Sequence, residues 1–154
     1  MPVVHFRYLY HFTHPDNIAS IQLRGLLSWY RLDASRMRYN AASTPLSRNL
    51  DTGKGLHDYV HLCTRPYHAM AQKALDEKRV SSLVWLRIAK EPVISWPETR
   101  FTYRNAAHKF ARPTPDSATA FDSPYHDAEV LVLGHLEPRW ILAYRIDPTR
   151  ETPL

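Results

Sequence analysis

A mixed α+β fold built on a largely antiparallel sheet is predicted by three features of the sequence. Val4, Phe6, Tyr8, Tyr10 and Phe12 alternate with His5, Arg7, Leu9, His11 and Thr13, the period of two of a half-buried strand. Apolar runs rich in β-branched residues return late, at 129–133 and 140–146. The longer helix-period segments fall in the first half, and strands outnumber helices. With 154 residues, 44% hydrophobic and 23% charged, the composition is that of one globular domain spanning 1–154, and it excludes disorder, collagen-like repeats and a heptad rod.

The elements follow in order. The first strand ends at Thr13, and Thr13 or His14 caps a helix over about 15–24. Pro15 opens that helix, Asp16 sits at the positive end of its dipole, Ile18 and Ile21 form its buried stripe, and Gly25 stops it. Residues 27–56 hold no sustained period and carry Arg31, Arg36, Arg38, Arg48 and Lys54 against Asp33 and Asp51. That predicts a long basic loop with one helical turn at most. Residues 58–63 form a short strand. Thr64 then caps a helix with Pro66 in its first turn, running to about Lys78 and turning Ala69, Met70, Ala74 and marginally Leu75 to the core. Strands at 83–88 and 93–96 are divided by Lys90, Glu91 and Pro92, and 105–111 reads as a short helix. The Pro- and Ser-rich stretch 112–126 is a second loop, leading directly into the strand that opens at Glu129.

Charge and composition narrow the function. Twenty Lys and Arg against 15 Asp and Glu leave a formal net charge of +5, which favours a polyanionic partner such as nucleic acid. Cys63 stands alone, so neither an internal disulfide nor a cysteine-built metal centre can form within one chain, and a reducing compartment fits. No signal-peptide pattern and no span of about 18 apolar residues occurs. The expectation is a soluble, cytoplasmic protein without a membrane partner. Four Gly against 12 Pro argue against a Gly-rich phosphate loop.

Three positions invite chemistry, each with an ordinary alternative. His11 lies near the end of the first strand, just before a helix N-terminus whose free N–H groups favour an anion; it is equally read as a histidine bonded within the core, with Thr13 only a cap. Glu129 opens an apolar strand, either as a solvated edge carboxylate or as one facing a cleft. Arg48 belongs to a basic stretch that also reads as a solvated surface. His57 and His61 have zinc spacing only on a helix, and the predicted strand separates them, so no metal site is expected.

The segment Tyr10-His11-Phe12-Thr13-His14-Pro15-Asp16-Asn17-Ile18, continuing to Gly25-Leu26-Leu27, resembles the opening motif of the DarT family of bacterial DNA ADP-ribosyltransferase toxins. Gly55-Leu56-His57-Asp58-Tyr59-Val60 resembles the second signature of that family, and Ala128-Glu129-Val130-Leu131-Val132 its catalytic-glutamate strand. Arg48-Asn49 match the place of a functional arginine. The resemblance implies an ADP-ribosyltransferase fold, a split and largely antiparallel sheet with a few flanking helices. NAD would lie in its cleft as substrate, and ADP-ribose would pass to a base of single-stranded DNA. His11, Phe12 and Thr13 would hold the nicotinamide ribose and amide, Asn17 would lie by the adenosine, Arg48 would contact the diphosphate and prepare the acceptor base, and Glu129 would be the catalytic carboxylate. Ser20 joins them by spacing alone, one turn beyond Asn17 on the same helical face.

The residue types suit the reaction. Cleaving the ribose–nicotinamide bond develops oxocarbenium-like charge that a fixed carboxylate stabilises, and a guanidinium offers a diphosphate a permanent planar fork. A base must be unstacked before it is modified. Tyr103, Arg104, Phe121 and Tyr125 are candidate platforms for it or, alternatively, core plugs. A toxin of this kind implies an antitoxin partner that neutralises or reverses it. The chain departs from the family in a shorter stretch before Glu129, in His61-Leu62-Cys63-Thr64, where an aromatic-rich continuation is usual, and in Arg65-Pro66-Tyr67-His68-Ala69-Met70, which matches only in part. An RNA or protein acceptor, an NAD glycohydrolase, an RNA 2′-phosphotransferase of related fold and a catalytically silent nucleic-acid-binding module stay open as alternatives.

Overall fold

The alternating residues of the N-terminal segment do form a strand, but a shorter one, β1 (Leu9–Thr13). The computed structural model describes residues 3–35 and 52–154. Its other strands are β2 (Leu26–Leu27), β3 (Tyr59–Cys63), β4 (Val84–Ile88), β5 (Arg100–Thr102), β6 (Glu129–Leu133), β7 (His135–Leu136) and β8 (Ile141–Ile146). The α-helices discussed below are α1 (Ile18–Arg24), α2 (Trp29–Ala34), α3 (Ala69–Asp76) and α4 (Ala118–Phe121). Six strands form one antiparallel sheet in the order β5-β6-β3-β1-β4-β8, and β2 pairs with β7 beside it.

This sheet has a weak seam at its centre. β1 pairs with β4 at five positions and β3 with β6 at five, whereas β1 meets β3 only at Tyr10 opposite Cys63. Beyond Tyr10, then, the residues His11, Phe12 and Thr13 follow β4 and leave β3. The expected split antiparallel core is realised in this way.

Directly opposed residues of a sheet share a face, so the register sorts the side chains. Leu9, Val60, Leu62, Leu86, Ile88, Val130 and Val132 lie on one face, packed with Ile18 and Ile21 of α1. Each such side chain, once fully buried, stabilises the fold by about 1.5–3 kcal/mol. The other face carries Tyr10 and Cys63 with Phe12, Trp85 and Ile146, and it also carries His61 and Glu129.

Local chemistry explains where the elements differ from expectation. His14, not Thr13, is the cap: its Nδ1 accepts from the N–H of Asp16 at 3.0 Å, and a 3-10 turn at Pro15–Asn17 precedes α1. The stretch 27–56 is not one loop, because β2 and α2 occupy its start and Ser28 Oγ accepts from the N–H of Arg31 to cap α2. Arg36, Arg38, Arg48 and Asp51 lie outside the described residues. The next helix begins at Ala69 rather than near Thr64. Thr64 and Arg65 are tied to distant backbone, at the carbonyls of Ala128 and Ser123. The later start rotates the buried stripe to Ala71 and Ala74, leaving Ala69 exposed and Met70 half-buried.

Residues 93–95 turn as a 3-10 helix instead of a strand, with Thr99 Oγ1 donating to the Val93 carbonyl at 2.9 Å. The 105–111 segment is a set of turns, because Asn105 Oδ1 accepts from the N–H of Ala107 and diverts the backbone from a helix. The second loop contains α4, and β5 adds the edge strand beside β6. Among the described residues no helix is long and apolar enough to cross a membrane.

Candidate active site

β6 opens at Glu129, which the register sets opposite Cys63 of β3 and Thr102 of β5. The residue is only 6% exposed, so its carboxylate needs partners within the protein. Oε1 accepts from the N–H of Ala106 at 2.9 Å and lies 3.2 Å from His61 Nδ1. Oε2 lies 3.1 Å from His68 Nε2. Burial pushes the Glu129 carboxyl upward, but His61 and His68 outweigh it and hold the pKa well below the usual carboxylate range. Glu129 is therefore ionised at neutral pH.

His68 owes its orientation to a helix end. As the N-cap of α3, it accepts the N–H of Met70 on Nδ1 at 3.1 Å. A neutral ring that accepts on Nδ1 carries its proton on Nε2, and Nε2 is the nitrogen that faces Glu129.

His11 reaches across the seam. Its Nδ1 lies 3.0 Å from the carbonyl oxygen of His61; a carbonyl only accepts, so Nδ1 bears the hydrogen and Nε2 is left as an acceptor. Burial lowers its pKa from 6.5 to about 4, against the opposing pull of the His61 carbonyl and the Glu129 charge. His61 thus joins His11 and Glu129, by its carbonyl to His11, whose side chain lies on the Leu9 face, and by its ring to Glu129 on the other face, from β1 through β3 to β6.

A pH dependence of stability follows. Between pH 6.5 and about 4 the unfolded chain protonates His11 while the folded one does not, so stability falls as pH is lowered through this window. The depressed Glu129 carboxyl adds a loss of the same sign, beginning below its ordinary value of 4.5. Thermal unfolding is expected to show a falling midpoint from pH 6.5 to 4, and His11→Gln should flatten the upper part of that fall. An unchanged slope in the variant would contradict the assignment to His11.

The other candidates divide. Thr13 is buried, and its hydroxyl accepts from Asn17 Nδ2 at 2.9 Å, which fixes both side chains at the junction of β1 and α1. Ser20, half-buried, lies one turn further along α1. Phe12 points to the opposite face from Leu9 and packs against His68 and Trp85, at centroid distances of 5.7 and 5.2 Å. It therefore supports the partner of Glu129. Arg48 lies outside the described residues.

Of the proposed base platforms, Tyr103 and Tyr125 meet edge to face at 5.7 Å, and the Arg104 guanidinium stands 4.5 Å over the Tyr125 ring. They flank Glu129, since Tyr103 follows the residue paired with it and Tyr125 precedes it by four positions. Phe121 is instead a core plug, packed on Phe101 and the main core.

Several contacts had no signal in the sequence. Asp58 accepts from Arg31 Nε and Nη2, at 2.9 and 3.2 Å, and from Ser28 Oγ at 2.8 Å. Burial would raise its carboxyl, and these donors bring it below its usual value. Arg31 of the basic stretch thus anchors α2. Lys54 Nζ donates to the carbonyls of Ala106 and His108, and so braces the backbone next to the N–H that holds Glu129. His57 packs against Tyr30 and Trp29 while His61 faces Glu129, so the two do not converge. Among the described residues no group of three His, Cys, Asp or Glu could hold a metal ion.

A family model described as the ssDNA thymidine ADP-ribosyltransferase DarT matches residues 10–124 of the chain. The chain belongs to the DarT family. The DarT match begins on β1 and stops before Glu129; the pairing of β6 with β3 carries the site past that limit. Among solved structures, Thermosipho africanus DarTG in complex with ADP-ribose superposes with a TM-score of 0.74 and 20% identity, over 90% of this chain and 43% of that one. The chain therefore spans less than half the length of that relative. Thermus sp. 2.9 DarT in complex with ADP-ribosylated ssDNA gives 0.67 and 17%, over 94% of this chain and 84% of the other. The same Thermus protein in complex with NAD+ gives 0.59 and 20%, over 90% and 80%. At such identities the likeness establishes a DarT fold. A search of curated protein sequences finds no match.

Proposed function

We propose that this DarT-family chain acts as a single catalytic domain that transfers ADP-ribose from NAD to thymidine in single-stranded DNA. The observation that carries the reading is a buried, ionised Glu129 linked through His61 to His11 across the seam of the sheet. A carboxylate has about four lone-pair directions. Ala106 N–H and His61 take up Oε1, while Oε2 has only the 3.1 Å ion-pair contact with His68 and keeps acceptor capacity for a ribose hydroxyl.

As the bond to nicotinamide breaks, positive charge grows on the ribose, and the fixed negative charge of Glu129 stabilises it without reorganisation. His11 Nε2, neutral and unprotonated, supplies a second acceptor for a sugar hydroxyl. Thr13, Asn17 and Ser20 lie on the His11 side of the seam, along the end of β1 and α1. Arg48 is the cation assigned to the diphosphate, from its motif position. Tyr103, Arg104 and Tyr125 offer faces for an unstacked base beside the carboxylate. The reaction belongs in the cytoplasm, where DNA and NAD meet, and implies an antitoxin that neutralises the activity or reverses it.

Labelled NAD incubated with a thymidine-containing single-stranded oligonucleotide should transfer label to it, and not to the same strand lacking thymidine. Label on protein or RNA instead would overturn the acceptor. Nicotinamide release with no labelled acceptor would make the chain a glycohydrolase. No release at all, with DNA affinity falling steeply in salt, would make it a silent binder.

A further inference from the structure

The proposed catalytic carboxylate is held on its two sides in different ways. On the Oε1 side stand a backbone N–H, that of Ala106, and His61, whose side chain is 23% exposed. On the Oε2 side stands His68 alone among the described contacts, with its side chain 1% exposed. The His68 ring is fixed from three directions: Met70 N–H on Nδ1, Glu129 on Nε2, and Phe12 against its face. It can neither rotate nor exchange tautomer without breaking the cap of α3.

We propose that His68 is a positioning residue for the transfer reaction, locking Oε2 of Glu129 so that the carboxylate offers its remaining acceptor direction to the ribose at the seam. This rests on Glu129 being the catalytic carboxylate, as argued above. α3 is then more than a cover for the sheet. Its first turn converts a helix-capping bond into the orientation of a side chain on a strand 60 residues away, and Phe12 of β1 backs the same ring, so the opening motif supports the carboxylate from the opposite side of the seam from His61.

The alternative is that His68 only caps α3, and asparagine separates the two roles. It is among the best N-caps, so it can keep the bond to Met70 N–H, but it is too short to reach Glu129 as well. In His68→Asn the melting transition should stay close to wild type. kcat should fall by about ten- to a hundred-fold, the range for losing one close polar contact to a charged group, with KM for NAD changed less than about twofold.

The acidic limb of the kcat profile should also move to higher pH, because burial then opposes ionisation with one partner fewer. The groups facing Glu129 are His61 from β3, His68 from α3 and the Ala106 N–H, with His11 and Cys63 within reach of its charge and Asp127 acting on Cys63. Of these, the variant alters only His68. Gln72→Ala, on the exposed side of α3, is the control and should leave kcat and the limb unmoved.

A folded His68→Asn with wild-type kcat and an unshifted limb would overturn the proposal. Should the variant fail to fold, ring nitrogen NMR of the wild-type protein decides instead: a neutral His68 protonated on Nε2 is required, and one protonated on Nδ1 refutes it. If Glu129→Gln keeps full activity, the catalytic reading itself has failed. If Glu129→Gln is inactive and His68→Asn is normal, only the positioning role has failed.

Discussion

Glu129→Gln is expected to lower both nicotinamide release and transfer to DNA by about a hundred- to a thousand-fold, with single-stranded DNA affinity unchanged. Glutamine keeps the shape of the side chain, removes its charge and turns one acceptor oxygen into a donor, so the loss reports chiefly the electrostatic stabilisation of the ribose cation. Stability should fall too, by a mechanism specific to this site. If the glutamine oxygen accepts from Ala106 N–H, its amide nitrogen is turned toward His68 Nε2–H, donor against donor. His68 cannot relieve this by moving its proton, because Met70 N–H occupies Nδ1. An unsatisfied buried donor costs about 1–3 kcal/mol. Turnover assays under saturating NAD, with thermal unfolding of the same preparation, check both effects. A variant retaining more than a third of wild-type turnover would remove Glu129 from the mechanism.

How much of this site was legible in the sequence depended on how local its causes were. β6 is an uninterrupted apolar run behind one carboxylate, and the structure keeps its bounds as predicted. α1 announces itself by Pro15 at its entry and Gly25 at its exit, and both hold. β5 is three residues long, too short for any period to register. α3 was misplaced because its cap is a histidine, a residue not ordinarily read as a helix signal, and because the polar residues before it are spent on tertiary bonds to Ala128 and Ser123. The motif resemblance marked His11 and Glu129. His61 is weighed in the sequence only as a zinc partner of His57, and His68 not at all, because their role beside Glu129 exists only through the pairing that sets Cys63 opposite Glu129. Before that register is known, nothing ties a histidine at 61 or 68 to a carboxylate at 129.

The opposite signature, stability lost with the chemistry spared, is expected of Gly25→Ala. Gly25 ends α1 at φ +79 and ψ −165, a region essentially reserved for glycine, where another residue costs about 1–3 kcal/mol. The backbone of β7 adds a steric term. A Cβ at this position would stand 2.0 Å from the carbonyl oxygen of Leu136 and 3.0 Å from its carbon. Neither can yield cheaply, because Leu136 is fully buried and pairs with Leu26 in the short second sheet. Leu26 and Leu136 in turn belong to the main core with Ile21, so displacing β7 opens the packing beneath α1. A loss of at least about 3 kcal/mol is expected, which for a domain of this size lowers the melting midpoint by roughly 6–12 °C. Gly53→Ala is the matched comparison. Nothing lies within 4 Å of a Cβ there, and the midpoint should stay within about 2 °C of wild type. Because Gly25 closes the far end of α1 from Thr13 and Asn17, turnover per folded molecule should be preserved well below the transition. Thermal unfolding of both variants, with turnover measured at low temperature, checks the pair; equal midpoints for the two would show that the approach of Gly25 to β7 is not what holds α1 against the sheet.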